Sequence, residues 1–126
     1  MWRDDSEEIF ISPDLAKGYY QFAINSKGVL MDSQNLSADT PDSSWTSNAK
    51  VEVTVEKNKR WIVTMSVPLA ELGAKVGENQ TWVLNFNRSK PLEEGSFVES
   101  SWSPTGSSSY HDTSGWGKMT KVVIQQ

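Results

Sequence analysis

Apolar and polar residues alternate one by one along most of this chain, and a period of two confines it to strands. In Lys50–Lys57, Val51, Val53 and Val55 alternate with Glu52, Thr54 and Glu56, which predicts a half-buried strand with one wet face. In Arg60–Val67, Trp61, Val63, Met65 and Val67 share one face. The short connection through the turn-like Asn58 predicts a β-hairpin. Glu7–Ser12 and Tyr19–Asn25 form two more strands around Pro13 and Asp14, with Tyr20, Phe22 and Ile24 on one face of the second. Val29–Met31 resumes pairing after a turn at Asn25–Gly28. Gln80–Arg88 is a further strand, with Trp82, Leu84 and Phe86 opposite Val83, Asn85 and Asn87, and Lys118–Ile124 is the last.

No amphipathic helix of useful length interrupts the strands. Pro68 opens one short helical turn, Pro68–Leu72, which Gly73 closes. Two polar stretches remain as loops: Asp32–Asn48 with Trp45, and Pro91–Gly115 with Trp102 and the sole histidine, His111. The expected fold is all-β, an antiparallel β-sandwich of generally immunoglobulin-like architecture. A length of 126 residues suits one domain, residues 1–126.

Composition removes several functions. With no cysteine, disulfides, thiolate zinc sites and cysteine nucleophiles are excluded. A net charge of −4 argues against a nucleic-acid partner. No apolar run approaches the roughly 20 residues of a membrane helix, and no signal peptide is visible in this chain. Phosphate loops, nucleophile elbows and metal-helix motifs are absent from the sequence, and no catalytic residue is assigned.

Two constellations could carry function. The first is the acidic run Asp4, Asp5, Glu7 and Glu8 ahead of a strand. Such runs occur as solvated turns. They also offer hard oxygen ligands for calcium, although this spacing is not that of an EF-hand, and paired carboxylates serve glycoside hydrolysis. The second is the aromatic set outside the clean strand faces: Trp2, Trp45, Trp102 and Trp116. An indole can cover the C–H face of a pyranose, gaining about 25 cal/mol per Å² of apolar area, while nearby amides and carboxylates orient the hydroxyls. Trp61 and Trp82 lie in strand patterns and read as core. His111 reads as a loop histidine, or as a haem ligand partnered by a methionine.

The ordered segments WRDDSEEIFISP, YYQFAIN, RWIVTMSVPLAEL, TWVLNFNRSKP, SSWSPTG and YHDTSGWGKM cover essentially the whole chain. Together they resemble the family 9 carbohydrate-binding modules and their relatives in the DOMON-like β-sandwich superfamily. The resemblance implies a non-catalytic, extracellular module for plant-type β-glycans such as cellulose or xylan oligosaccharides, attached to a polysaccharide-active enzyme. It implies a clamp of two tryptophans, matched here by Trp2 and Trp102, with Glu8 and Gln21 contacting sugar hydroxyls. Glu99 stands on the loop before the second tryptophan, and Arg88, closing a strand, is a candidate for either a binding or a structural role. Trp116 stands where relatives often carry Phe before Gly, which marks it as structural.

No cofactor is implied, with calcium as the one ion the acidic run could take. A haem-binding redox domain using His111 and a fragment of a glycoside hydrolase are the alternatives. Relatives carry more chain ahead of the residue matched by Trp2. The chain is then a shortened domain, a minimal relative or a protomer completed by a partner. If strands are missing, the face of Tyr20, Phe22 and Ile24 is left partly open, and self-association through an exposed sheet edge is expected.

Overall fold

The computed structural model describes residues 3–37, 39–107 and 109–125. Its strands are β1 (Ser6–Ser12), β2 (Tyr19–Asn25), β3 (Leu30–Asn35), β4 (Pro41–Asp42), β5 (Lys50–Glu56), β6 (Arg60–Ser66), β7 (Gln80–Pro91), β8 (Phe97–Ser101) and β9 (Gly117–Val122). Seven form one antiparallel sheet in the order β4-β3-β2-β1-β7-β8, with β9 also on β7. The hairpin β5–β6 forms a second layer of two strands. The chain is an all-β sandwich whose second layer is narrower than its first.

The alternation in the sequence explains the layering. On the back face of the large sheet, Ile9, Ile11, Tyr20, Phe22, Ile24 and Leu30 meet Val51, Val53, Val63 and Met65 of the hairpin, with Trp45 and Leu72 closing the cluster. Phe22 and Ile24 are fully buried. The face of Tyr20, Phe22 and Ile24, expected to lie partly open, is covered by the hairpin. Asn58 makes the hairpin turn with φ of 59°, a left-handed geometry that Asn tolerates better than most residues. The turn after Pro68 is a short helical turn, Leu69–Leu72, ended by Gly73 in the left-handed region.

Four segments differ from the sequence expectation. β3 runs on to Asn35, β7 runs on to Pro91, and β4 and β8 occupy stretches expected as loops. β8 reads FVESS and is exposed along most of its length. It lies at the sheet edge, where packing imposes no apolar alternation. Trp82 is buried as expected, whereas Trp61 is only half-buried.

The front face of the large sheet carries its own aromatic cluster. Phe10, Tyr19 and Trp116 pack together, with Val83 and Tyr110 against them. Residues 103–107 and 109–116 lie against this face and are tied down by backbone and side chains, Asn85 and Ser103 exchanging two hydrogen bonds. The Trp116 indole donates to the Tyr110 carbonyl at 2.9 Å, and the Tyr110 hydroxyl donates to the Arg88 carbonyl at 2.9 Å. This crossing segment forms one wall of the site.

Candidate functional site

Register decides which side chains meet. Across the front face, Ser101, Asn87, Glu8, Ala23 and Met31 stand in one row. In the next row stand Asn85, Phe10, Gln21 and Ser33. Neighbouring strands lie about 4.8 Å apart, so Ser101, Asn87, Glu8, Gln21 and Ser33 stand as a polar set on this face, with Phe10, Ala23 and Met31 among them. Gln21 donates its amide to the Glu8 carboxylate at 3.0 Å. Ser33 donates to the Gln21 amide oxygen at 3.5 Å, and Ser101 donates to the Asn87 amide oxygen at 2.6 Å.

The floor holds buried polar groups in excess of their partners. Glu8 is 7% exposed and Asn87 is 1% exposed. The Asn87 amide nitrogen, next to Glu8 in register, has no hydrogen-bond partner among the described residues, and neither does that of Asn35 further along the face. A buried donor without a partner costs about 1–3 kcal/mol. Burial raises the Glu8 carboxyl above its ordinary value; the Gln21 hydrogen bond works against this and the Glu99 charge adds to it. Burial also raises Tyr110, whose phenol stands close enough to feel Glu99 and Glu8.

The sequence-predicted residues divide between the two faces. Glu8, Gln21 and Glu99 share the front face by register. Arg88 and Trp102 lie on the back. Arg88 pairs with Glu7 in register, and its guanidinium donates twice to Asp5, at 3.0 and 2.7 Å. Trp102 donates its backbone N–H to the Phe86 carbonyl and packs its ring edge-on against Phe86 at 5.9 Å. Its ring also lies where a Cβ on Gly117 would point. The Trp102 ring thus rests on Phe86, on the opposite side of the sheet from Glu8 and Gln21. Each residue along a strand reverses face, and Trp102 stands one residue beyond Ser101, which faces front. Trp2 lies outside the described residues.

The acidic run is dispersed. Asp4 accepts from the Asn25 amide, Asp5 from Arg88 and from the Trp61 indole, Glu7 faces back and Glu8 faces front. Burial opposes the Asp5 charge, but the bonds from Arg88 and Trp61 prevail and hold its carboxyl below the usual range. Among the described residues no three His, Asp or Glu side chains come together to hold a metal ion. His111 packs edge-on to Phe10 at 4.9 Å and its Nδ1 lies 2.6 Å from the Tyr19 hydroxyl in a hydrogen bond. That packing favours its structural reading. Trp116 and Trp45 are core residues of the front and back clusters.

Sequence reasoning missed Asn87, Ser33 and Tyr110. Asn87 carried a usable signal, because it alternates with Phe86 on a strand paired to the one that holds Glu8.

A polar, partly unsatisfied floor walled by an aromatic-bearing segment suits a neutral, hydroxyl-rich ligand. The family model for carbohydrate family 9 binding-domain-like sequences matches residues 1–122. The chain belongs to that family. This family 9 domain also shares its fold with a crystal structure described as a "putative carbohydrate-binding protein" from Bacteroides uniformis, at 22% identity and a TM-score of 0.71. The match covers 94% of this chain and 62% of that one, so the family 9 domain spans less than two thirds of that protein's length. No curated protein matches the chain. Among the described residues no helix is long and apolar enough to cross a membrane.

Proposed function

We propose that this family 9 domain binds carbohydrate without catalysis, on the front face of its large sheet. The observation that carries the proposal is the Gln21–Glu8 hydrogen bond at 3.0 Å beside a front-face cleft of about 240 Å³ lined by Gln21, Ala23, Met31 and Ser33, with the buried Asn87 amide next to Glu8 in register. The Glu8 carboxylate accepts from one sugar hydroxyl, Asn87 and Gln21 donate to others, and Tyr110 and Glu99 border the floor. A hydrogen bond to a charged group contributes about 1.5–3 kcal/mol, a neutral one about 0.5–1.5. The family resemblance implies an apolar platform from Trp2, which lies outside the described residues.

The ligand class proposed is a plant-type β-glycan, with cello- and xylo-oligosaccharides as its soluble forms. The setting proposed is extracellular, on a protein that acts on polysaccharide. Titration calorimetry tests this. Wild type should bind, Glu8→Gln should weaken binding by about ten- to a hundredfold, and Gln21→Ala by up to about tenfold. Incubation with soluble xylan or β-glucan should release no reducing sugar. Absence of any binding, or release of sugar that Glu8→Gln abolishes, contradicts the proposal.

A further inference from the structure

The charge on the front face is of one sign. Glu8 on β1 and Glu99 on β8 both face front, on either side of β7 and its Asn87. Glu8 is 7% exposed, and the group bonded to its carboxylate is the neutral Gln21 amide. Glu99 is exposed, and its charge reaches both Glu8 and the Tyr110 phenol. On the other flank of Gln21, the cleft bounded by Ala23, Met31 and Ser33 carries a third carboxylate, Asp32.

The cations of the neighbouring elements do not offset these carboxylates. Arg88 and Lys90 alternate with Ser89 on β7 and stand on the back, where Asp5 holds the Arg88 guanidinium. Lys27, in the turn between β2 and β3, lies 3.9 Å from Asp4. Lys118 faces front beside Val83, but Val83 lies four residues along β7 from Asn87. At about 3.3 Å per residue that is about 13 Å, beyond the Debye length of about 8 Å at physiological ionic strength.

We infer that the front floor is a charge filter. It takes a neutral β-glycan and rejects the same backbone when its sugars are uronic acids, with Glu99 as a specificity-determining residue. This rests on the reading of the front face as the sugar site. A sugar hydroxyl gives Glu8 a hydrogen bond and brings no charge. A uronate brings a further negative charge to a face that already holds Glu8 and Glu99. Because Glu8 is largely withdrawn from water, like charges beside it repel more strongly than in bulk solvent. Glu8 sets the sign of the filter from within the floor, and Glu99 from its rim.

A matched pair of β-1,4-linked ligands tests this: a cello-oligosaccharide, and the same oligosaccharide with every C6 hydroxymethyl oxidised to a carboxylate. They differ little in shape, so the ratio of their affinities reports charge. Titration calorimetry at neutral pH and about 0.01 M ionic strength should favour the neutral ligand by about tenfold or more. At about 1 M the Debye length falls to about 3 Å, and the ratio should shrink by about threefold or more. Glu99→Gln at low salt should narrow the ratio by about threefold. Glu52→Gln, exposed on the hairpin in the other layer, changes net charge equally and should leave the ratio as it is. Circular dichroism checks that each variant is folded. Equal or tighter binding of the uronate overturns the filter. So does a preference that neither salt nor Glu99→Gln reduces, or one that Glu52→Gln reduces as much as Glu99→Gln. Failure of the neutral ligand to bind at either salt concentration instead contradicts the sugar-binding reading itself, and this inference with it.

Discussion

Glu8 and Trp102 lie on opposite faces of one sheet. Glu8 stands in a row with Asn87 and Ser101 on the front, while Trp102, the next residue after Ser101, turns to the back and rests on Phe86. This relationship separates two surfaces of different chemistry. The front offers buried hydrogen-bonding groups, and the back offers apolar rings and an open cleft.

Arg88 belongs to the fold. Its guanidinium forms a two-point contact with Asp5 and lies 3.8 Å from Glu7, both ahead of or within β1. Arg88→Gln should leave sugar affinity unchanged and lower stability by about 1 kcal/mol, the upper range for a part-exposed pair. Urea unfolding beside titration calorimetry separates the two effects. A large loss of affinity with unchanged stability would place Arg88 in the binding site.

The back core should be most sensitive where the hairpin covers the sheet. Phe22 is fully buried between β2 and the hairpin, and Phe22→Ala should cost about 3–5 kcal/mol. Trp61 is half-buried at the cleft wall. Trp61→Ala should cost clearly less than Phe22→Ala, because one side of its ring already meets open space. Equal losses in urea unfolding would mean that the cleft is closed in solution.

Acid should loosen the front-face segment through His111. Burial lowers the His111 pKa below 6.5, so the folded state favours the neutral ring. Its stabilising contribution is complete above 6.5 and is lost as pH falls through the lower, folded-state value. Tyr19, raised to about 12 first by burial, stays neutral throughout and continues to share the hydrogen bond. Melting temperature should fall between about pH 7.5 and about pH 5. His111→Gln should lose this fall, because Asp5, held below the usual range, stays ionised throughout it and Glu7 and Glu8, raised by burial, are relieved rather than strained by acid. Parallel pH profiles for the two proteins would contradict this role.

Much of the fold was legible because burial writes itself into a strand as alternation. β1, β2, β5 and β6 were plain from Ile9/Ile11, Phe22/Ile24, Val51/Val53 and Val63/Met65, which face one another across the layers. β8 was hidden because FVESS is an edge strand with little to bury. Missing β8 also hid the division of the site. Only the register Asn87–Ser101 shows that Glu99 faces front with Glu8 and that Trp102 does not. Glu8 and Gln21 were each named through the family resemblance, and their side chains are in hydrogen-bond contact. Asn87 became visible once its strand was placed beside β1, because an unpartnered buried amide is a property of packing and not of residue type.

The central claim is that sugar is bound by the front floor, and amide-resolved NMR titration with a xylo- or cello-oligosaccharide tests it most directly. The side-chain amides of Asn87 and Gln21 and the backbone of Glu8, Ser33 and Ser101 should shift together and saturate at one affinity. The indole N–H of Trp61 and the backbone of Phe86 and Trp102 should hold still. Shifts concentrated around Phe86 and Trp102, with Asn87 and Gln21 unmoved, would place the ligand on the back face and contradict the claim.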